Sequence, residues 1–324
     1  MTTVAHASSA PLRFVRQFRS VSFWAEWAAV VGLIVLTLVF TILEPTFLSS
    51  GNVRSMLQAS SILVILVVGQ TFVILTAGID LSIASVMTLA AIAFGLAMAA
   101  GVPFAVSSLI AVGAGFLAGL ANGIFIAKAR ITDFIVTLGM LSAASGVALV
   151  TSDGKPTTVI EPLLLRLATR GWGLIPFTFM IALAIAVVAH IVLFRTRFGT
   201  HVLATGGSVD AAKATGIRTD RIKLAVYIIA GVLAGIAAIL LVGRVGAAEP
   251  AANTTFLLNS VAAVVLGGVS LFGGKGNIIG PLCGALLLTV LTNGLTMLGV
   301  SQFYQPLAVG LVVIGAAYLT RFQK

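Results

Sequence analysis

The chain has 324 residues, of which 59% are hydrophobic and only 9% are charged, and its mean hydropathy is +1.16. Soluble domains carry about 25% charged residues, so this composition excludes a soluble globular enzyme. A bilayer core about 30 Å thick is crossed by roughly 20 apolar residues in a helix, so the chain is long enough for about ten spans. We predict an all-α polytopic integral membrane protein with no separate soluble domain.

Apolar runs between polar breaks predict about ten transmembrane helices. In chain order they cover 27–43, 57–77, 83–100, 103–127, 132–150, 175–194, 224–243, 259–272, 277–297 and 305–320. The predicted organisation is a basic cytoplasmic tail over 1–26, a single transmembrane domain over 27–320 and a cytoplasmic tail over 321–324. No small-residue cleavage site follows the first apolar run, so it is interpreted as an uncleaved span and not as a secretory signal.

The lysines and arginines divide unevenly between the two predicted faces. With the N-terminus inside, only five of the 19 lie outside: Arg54, Lys155, Arg166, Arg170 and Arg244. Cytoplasmic loops of membrane proteins carry the excess of lysine and arginine, so the division predicts that both termini are cytoplasmic. The net charge of +10 is then explained by topology, and nucleic acid is not needed as a partner.

The segment between the second and third spans interrupts the apolar pattern with the residues Thr76-Ala77-Gly78-Ile79-Asp80-Leu81-Ser82. Gly78 breaks the preceding helix and Asp80 can cap the next one, so the chain is expected to turn or unwind here. An acid at membrane depth is often functional, whereas at the interface it is an ordinary cap. The charge count places the segment near the cytoplasmic face, which favours the capping role.

Small and polar residues also lie inside the apolar runs. Glycines recur every four residues in three spans, which predicts close helix packing: Gly115, Gly119 and Gly123; Gly231 and Gly235; Gly280 and Gly284. Intramembrane amides usually bond a neighbouring helix, although some face a water-filled path. On polarity alone, we predict that Gln70, Thr71, Asn122 and Asn293 line a translocation path. Gly78, Asp80 and Ser82 of the interrupted segment are added as candidates for the path or its gate.

The longest predicted cytoplasmic stretch, 195–223, contains the signals of a short helix. Ser208 can cap this helix, Asp210 lies in its first turn and Gly216 marks its end. A helix of this length is marginal alone in water, so it must pack against its own loop or against a partner surface. The residues alone leave both alternatives open.

No motif for covalent or nucleotide chemistry is present. The glycine-rich stretch over 264–277 does not match a phosphate-binding loop, because Gly274 and not lysine follows Gly273. The single cysteine, Cys283, excludes a thiolate metal cluster, and the histidines have no carboxylates at ligand spacing. We therefore expect no catalytic residue, no metal and no cofactor on this chain, so any ATP must be hydrolysed by another chain.

Five ordered motifs between Phe47 and the C-terminus resemble the ribose-type permease subunits of bacterial ABC importers. They are Thr76 to Ser82, Phe134 to Gly139, the loop from Phe198-Gly199 to Gly216-Ile217, Ala262 to Gly276, and Asn293-Gly294-Leu295. The resemblance implies a multi-pass subunit of the bacterial inner membrane that transports a monosaccharide or a related polyhydroxylated solute. It also implies that the chain itself is not an enzyme.

The resemblance further implies a set of partners. These are a cytoplasmic ATPase that binds ATP and Mg, a periplasmic solute-binding protein, a second permease subunit in a homodimer or heterodimer, and membrane lipid. The short loop helix would then be the coupling helix in a cleft of the ATPase, formed by Gly207, Ser208, Asp210, Ala211, Ala212, Lys213 and Gly216. Two alternatives remain: an ATP-independent secondary carrier or facilitator, and a non-transporting scaffold.

The sequence departs from the family pattern at three places. The stretch Leu257 to Ala263 lacks the two acids of the family's Glu-Leu-Asp-x-Ile-Ala-Ala, Thr132-Asp133 replaces a double proline, and Ala77 stands where the family often has glycine. We expect these departures to affect the range of substrates and the pairing with a second permease.

Overall fold

The computed structural model describes residues 21–251 and 254–320. Its helices are α1 (Val21–Leu43), α2 (Ser50–Leu75), α3 (Ile83–Ala99), α4 (Phe104–Ala127), α5 (Asp133–Thr151), α6 (Pro162–Thr169), α7 (Phe177–Arg195), α8 (Arg197–Gly207), α9 (Val209–Ala214), α10 (Thr219–Val245), α11 (Thr254–Leu266), α12 (Ile279–Met297) and α13 (Gln305–Thr320). Four two-residue strands form two antiparallel pairs: β1 (Thr157–Thr158) with β4 (Ala247–Ala248), and β2 (Gly171–Trp172) with β3 (Ile175–Pro176). The predicted tail over 321–324 and residues 1–20 of the predicted N-terminal tail lie outside the described residues.

Six helices of the described chain are long and apolar enough to cross a membrane: α2, α4, α5, α7, α10 and α12. Shorter apolar helices lie within α1, α3, α11 and α13. Every predicted span overlaps one of these helices. The all-α, polytopic membrane fold is therefore confirmed, whereas the number of crossings and the side of the termini stay predictions.

The eighth predicted span differs most from its helix. It was expected over 259–272, but α11 covers Thr254–Leu266 and the chain is irregular from 267 to 278. Gly268 has a φ of +77°, which ends the helix. Gly267 packs directly against the backbone of Gly280 and Pro281 in α12, where a side chain would not fit. The apolar run in the sequence therefore continues beyond the end of the helix, which Gly267 and Gly268 determine.

Helix α2 forms the centre of the molecule. Every residue from Ser60 to Leu75 is buried, because α2 is surrounded by α7, α10, α11 and α12. A helix that is apolar on all sides needs such a central position. By contrast, α5 and α7 expose many large apolar side chains, among them Phe134, Ile135, Val187 and Val188, as expected for outer helices in contact with lipid or another subunit.

The predicted glycine packing is confirmed where α4 crosses α10. A Cβ added at Gly115 would collide with the carbonyl oxygen of Gly231, and a Cβ at Gly119 would collide with that of Tyr227. A Cβ at Gly235 would lie 2.8 Å from the carbonyl oxygen of Ala111. The two antiparallel backbones are therefore in direct contact along several turns, which only small residues allow.

The loops between helices sort into two groups that make contacts among themselves. In one group, β1 pairs with β4, and the Arg54 guanidinium donates to the carbonyl oxygens of Thr169 and Gly173 at 2.7 and 3.2 Å. The other group consists of the segments 76–82, 128–132, 196–218 and 267–278, and we call it the α9 end. The charge count assigned these two groups to opposite faces of the membrane.

Candidate functional site

The α9 end brings together segments that are distant in sequence. The backbone N–H of Ile79 donates to Asp133 Oδ2 at 2.6 Å, and that of Gly274 donates to the carbonyl oxygen of Leu75 at 3.0 Å. Gly206 packs against the backbone of both Leu75 and Gly274, so close that no Cβ could be accommodated. The segment 76–82 is thus held between the start of α5, the end of α8 and the glycine loop before α12.

The predicted short loop helix is present as α9. Ser208 Oγ accepts a hydrogen bond from the N–H of Ala211 at 3.2 Å, and Gly216 has a φ of +85°, so both terminal signals act as expected. Ala212 is buried, at 4% exposed, and holds the helix against its own chain. The other residues of the predicted coupling set are all exposed: Gly207, Ser208, Asp210, Ala211, Lys213 and Gly216. Helix α9 therefore presents most of its surface outward.

Asp80 lies at the centre of a buried polar chain. The side chain is 3% exposed, and its Oδ1 accepts hydrogen bonds from the N–H and the hydroxyl of Ser82 at 2.8 and 2.6 Å. The hydroxyl of Ser82 also accepts a hydrogen bond from Asn122 Nδ2 at 2.9 Å. Asp80 therefore organises the turn that enters α3 and links that turn to α4. Its gate role stays a prediction.

The peptide groups around Ile79 are clamped from two sides. The carbonyl oxygen of Ile79 accepts hydrogen bonds from Thr137 Oγ1 at 3.3 Å and from the Tyr227 hydroxyl at 3.4 Å. A Cβ at Gly78 would lie 2.8 Å from the same Tyr227 oxygen, so a larger residue there would displace the hydroxyl. Together with Asp133, these contacts satisfy an unwound backbone that has no helical partners.

The sequence did not point to Asp133, Thr137 or Tyr227 as site residues. Asp133 stands at a departure from the family pattern, and a tyrosine inside an apolar span usually places its hydroxyl on a partner. Those two signals could have drawn attention to the positions. They could not have named Ile79 as the shared partner, because it lies 54 and 148 residues away in sequence.

The polar residues predicted to line the path lie in separate places. Gln70 and Thr71 are 0% exposed within α2, and both polar atoms of the Gln70 amide lack a hydrogen-bond partner. Asn122 lies beside Ser82, with its Oδ1 also unpartnered. Asn293 is half-buried far from these residues and pairs with Asn52 at 3.0 Å. In the described chain these side chains are packed in the protein interior, so their path role stays a prediction.

Metal ligands are not grouped in the described chain. Residues 21–251 and 254–320 contain no set of three or more His, Cys, Asp or Glu side chains that could hold a metal ion. The only cysteine, Cys283, is a free thiol in α12. At the α9 end, an exposed helix is joined through backbone contacts to a buried polar chain.

Comparison with known proteins identifies a family. Residues 52–319 match the model of the permease component of branched-chain amino acid transport systems. The chain is 37% identical to the ribose import permease protein of Escherichia coli K12, over 92% of this chain and 94% of the relative. It is 36% identical to the ribose import permease protein of Bacillus subtilis, over 90% and 91%, and 32% identical to the D-allose transport system permease protein of E. coli K12, over 94% of each. No solved structure matches the chain.

Proposed function

The chain belongs to the family of permease components of branched-chain amino acid transport systems, and from this membership we propose that it is the membrane subunit of an ABC importer for a monosaccharide. The observation that carries the proposal is the 37% identity, over 92% of the chain, to a protein named as a ribose import permease. The family description names amino acids, but the relatives at 37% and 32% identity carry ribose and allose in their names. A sugar is therefore the better supported solute class.

In the proposed topology, ten helices cross the bacterial inner membrane and both termini are cytoplasmic. The two groups of loops support it, since loops in contact with each other, such as β1 with β4 and 76–82 with 267–278, are assigned to the same face by the charge count. The irregular loop 267–278 lies at the α9 end together with 76–82 and 128–132, which supports a crossing by α11 as well. The shortness of α11 is compatible with crossing, because its neighbours α2 and α12 cover its broken end.

The proposed partners are a cytoplasmic ATPase that binds ATP and Mg, a periplasmic solute-binding protein and a second permease subunit. The exposed face of α9 supports the first of these, because a six-residue helix directed outward is suited to a cleft in another protein. Movement of α9 is passed to α8, and from Gly206 to the backbone of Leu75. Leu75 is followed directly by the segment 76–82, and Ser82 at the end of that segment is hydrogen-bonded to Asn122 in α4.

The transport step follows from this connection. ATP-driven closure of the ATPase would move α9 and shift the segment 76–82 relative to α4 and α5. Gln70, Thr71 and Asn122 are packed in the single chain, so a path that includes them requires such a shift or a second subunit. In this step the chain changes conformation and forms no covalent bond to the solute.

The test is uptake by the reconstituted complex. The permease is incorporated into liposomes with its ATPase and binding protein, and uptake of labelled ribose, allose and a branched-chain amino acid is measured with and without ATP. We expect ATP-dependent uptake of a sugar and none when the catalytic glutamate of the ATPase is replaced by glutamine. Uptake that persists without ATP would identify a carrier, and uptake of the amino acid alone would overturn the sugar assignment.

The coupling role of α9 is tested by blocking its exposed face. Ala211→Arg and Ala214→Arg place long charged side chains on that face and retain helix propensity. We expect either variant to weaken ATPase association at least tenfold, as large groups in a packed interface do. The control is Ala100→Arg, an exposed alanine at the end of α3. Equal ATPase recovery with all three variants would show that α9 is only a connector.

A further inference from the structure

A cavity of 280 Å³ lies at the α9 end, between the connection from α4 to α5 and the start of α10. Three basic side chains line it: Arg130, Lys213 and Lys223. Two carboxylates, Asp133 and Asp220, also line it, but no ion pair to the three cations occurs within the described part of the chain. Asp133 accepts the N–H of Ile79 instead. The three cations outnumber the two acids, so the lining of the cavity carries a net charge of +1.

Two long helices also begin at this cavity. Thr132 precedes α5 and Arg218 precedes α10, and neither side chain caps the helix it precedes, although each helix has an acid in its first turn, Asp133 and Asp220 respectively. The first-turn N–H groups of such helices carry partial positive charge and attract anions. These acids offset part of that attraction, so the three cations are the main feature of the cavity that favours an anion.

An independent observation comes from Thr219 in the cavity wall. Its side chain is 2% exposed, and its hydroxyl has no hydrogen-bond partner. A buried hydroxyl without a partner is unfavourable, and such groups are usually satisfied by a ligand or by bound water. The cavity therefore has an unused donor beside the three cations.

The surroundings of the cavity indicate which anion it binds. Its lining includes an apolar rim formed by Ile126, Ala127, Ile131 and Val209. Phe125 and Phe134, which adjoin lining residues in sequence, are 49% and 54% exposed. A protein carboxylate or a free phosphate gains no binding free energy from such an apolar rim, whereas a phospholipid places acyl chains directly beside its phosphate. Basic pockets between membrane helices on the cytoplasmic side are typical lipid headgroup sites.

We propose that this cavity binds the phosphate of an anionic phospholipid, with Arg130, Lys213 and Lys223 as its cationic ligands and Thr219 as a hydrogen-bond donor. Lys213 belongs to α9 and Arg130 precedes α5, so the lipid joins the exposed helix to the element that holds Ile79. This site needs the membrane location of the family but does not depend on which solute is transported.

Lipid binding is measured by native mass spectrometry of the purified full-length chain, titrated with phosphatidylglycerol or phosphatidylcholine. The triple variant Arg130→Gln, Lys213→Gln and Lys223→Gln is compared with Lys128→Gln, Arg197→Gln and Lys275→Gln, which removes the same charge from exposed positions at the same end outside the cavity. Each basic group near the surface contributes about fivefold to binding, and direct phosphate contacts add more. We expect the cavity variant to bind phosphatidylglycerol at least tenfold more weakly than its control.

Thr219→Val keeps the shape of the side chain and removes only the hydroxyl, so it tests the site without removing charge. We expect roughly threefold weaker phosphatidylglycerol binding and an unchanged or higher melting temperature, because the lost hydroxyl had no partner in the protein. Equal binding by the two triple variants would overturn the site. Displacement by equimolar inorganic phosphate would assign it to free phosphate, and lost ATPase association with unchanged lipid binding would assign it to an ATPase carboxylate.

Discussion

The interface between α4 and α10 and the segment 76–82 lie beside each other but are held together in opposite ways. Along the interface, Gly115 and Gly231 bring two regular backbones into direct contact. In the segment, an irregular backbone is satisfied by one carboxylate and one hydroxyl from α5 and by one hydroxyl from α10. The difference indicates which part of the molecule stays fixed and which part can move.

Packed backbones resist displacement because any shift opens gaps or creates overlaps along several turns. Hydrogen bonds of 3.3 and 3.4 Å to Ile79 can be exchanged for others at little net free energy. We infer that α4 and α10 form a rigid frame and that the segment 76–82 is the element that responds to α9. The three predictions that follow test this distinction, from the largest effect to the smallest.

The largest effect is expected for Gly115→Ala. The new Cβ would collide with the carbonyl oxygen of Gly231 and would lie 3.1 Å from the N of Gly235, so both backbones would have to separate. Overpacking of this kind costs about 1–3 kcal/mol or more. We expect a clearly lower melting temperature and a smaller fraction of monodisperse protein in size-exclusion chromatography.

Gly113→Ala is the matched control in the same helix, because a Cβ there meets nothing within 4 Å. Alanine favours the helix by up to about 1 kcal/mol relative to glycine, so the control is expected to melt at the same temperature or higher. A similar decrease in melting temperature in both variants would show that stability depends on glycine itself and not on the contact with α10.

A smaller effect is expected for Asp80→Ala. The change leaves the N–H and the hydroxyl of Ser82 without their acceptor in a buried position, which costs about 1–3 kcal/mol. Asp80→Asn keeps one acceptor oxygen and should recover part of the melting temperature. The exposed Glu249→Ala is the control, with no change expected. A normal melting temperature combined with lost ATP-dependent uptake would indicate a role in movement and not in stability.

Features that depend on residues close together in sequence could be predicted from the sequence, whereas contacts between distant residues could not. Ser208 and Gly216 define α9 through local caps, and the four-residue glycine spacing predicted a packing face, both confirmed. The helix α8 before α9 was not predicted, although Thr196 accepts the N–H of Gly199 as a cap. The pair of Asn52 and Asn293 joins positions 241 residues apart. No local pattern contains that information, because it depends on how the helices are arranged.

The smallest effect concerns Ala77, whose φ of +57° is unusual for a residue with a Cβ. The family pattern often has glycine at this position, and glycine adopts such a conformation without strain. Relief of about 1–2 kcal/mol of strain is partly offset by the greater freedom of glycine in the unfolded chain, so Ala77→Gly should stabilise the protein by about 0.5 kcal/mol. Ala97→Gly, inside α3, should instead destabilise it by about 1 kcal/mol. Opposite shifts in melting temperature would place the strain in the segment 76–82. A lower melting temperature in both variants would show that the positive φ of Ala77 does not reduce stability.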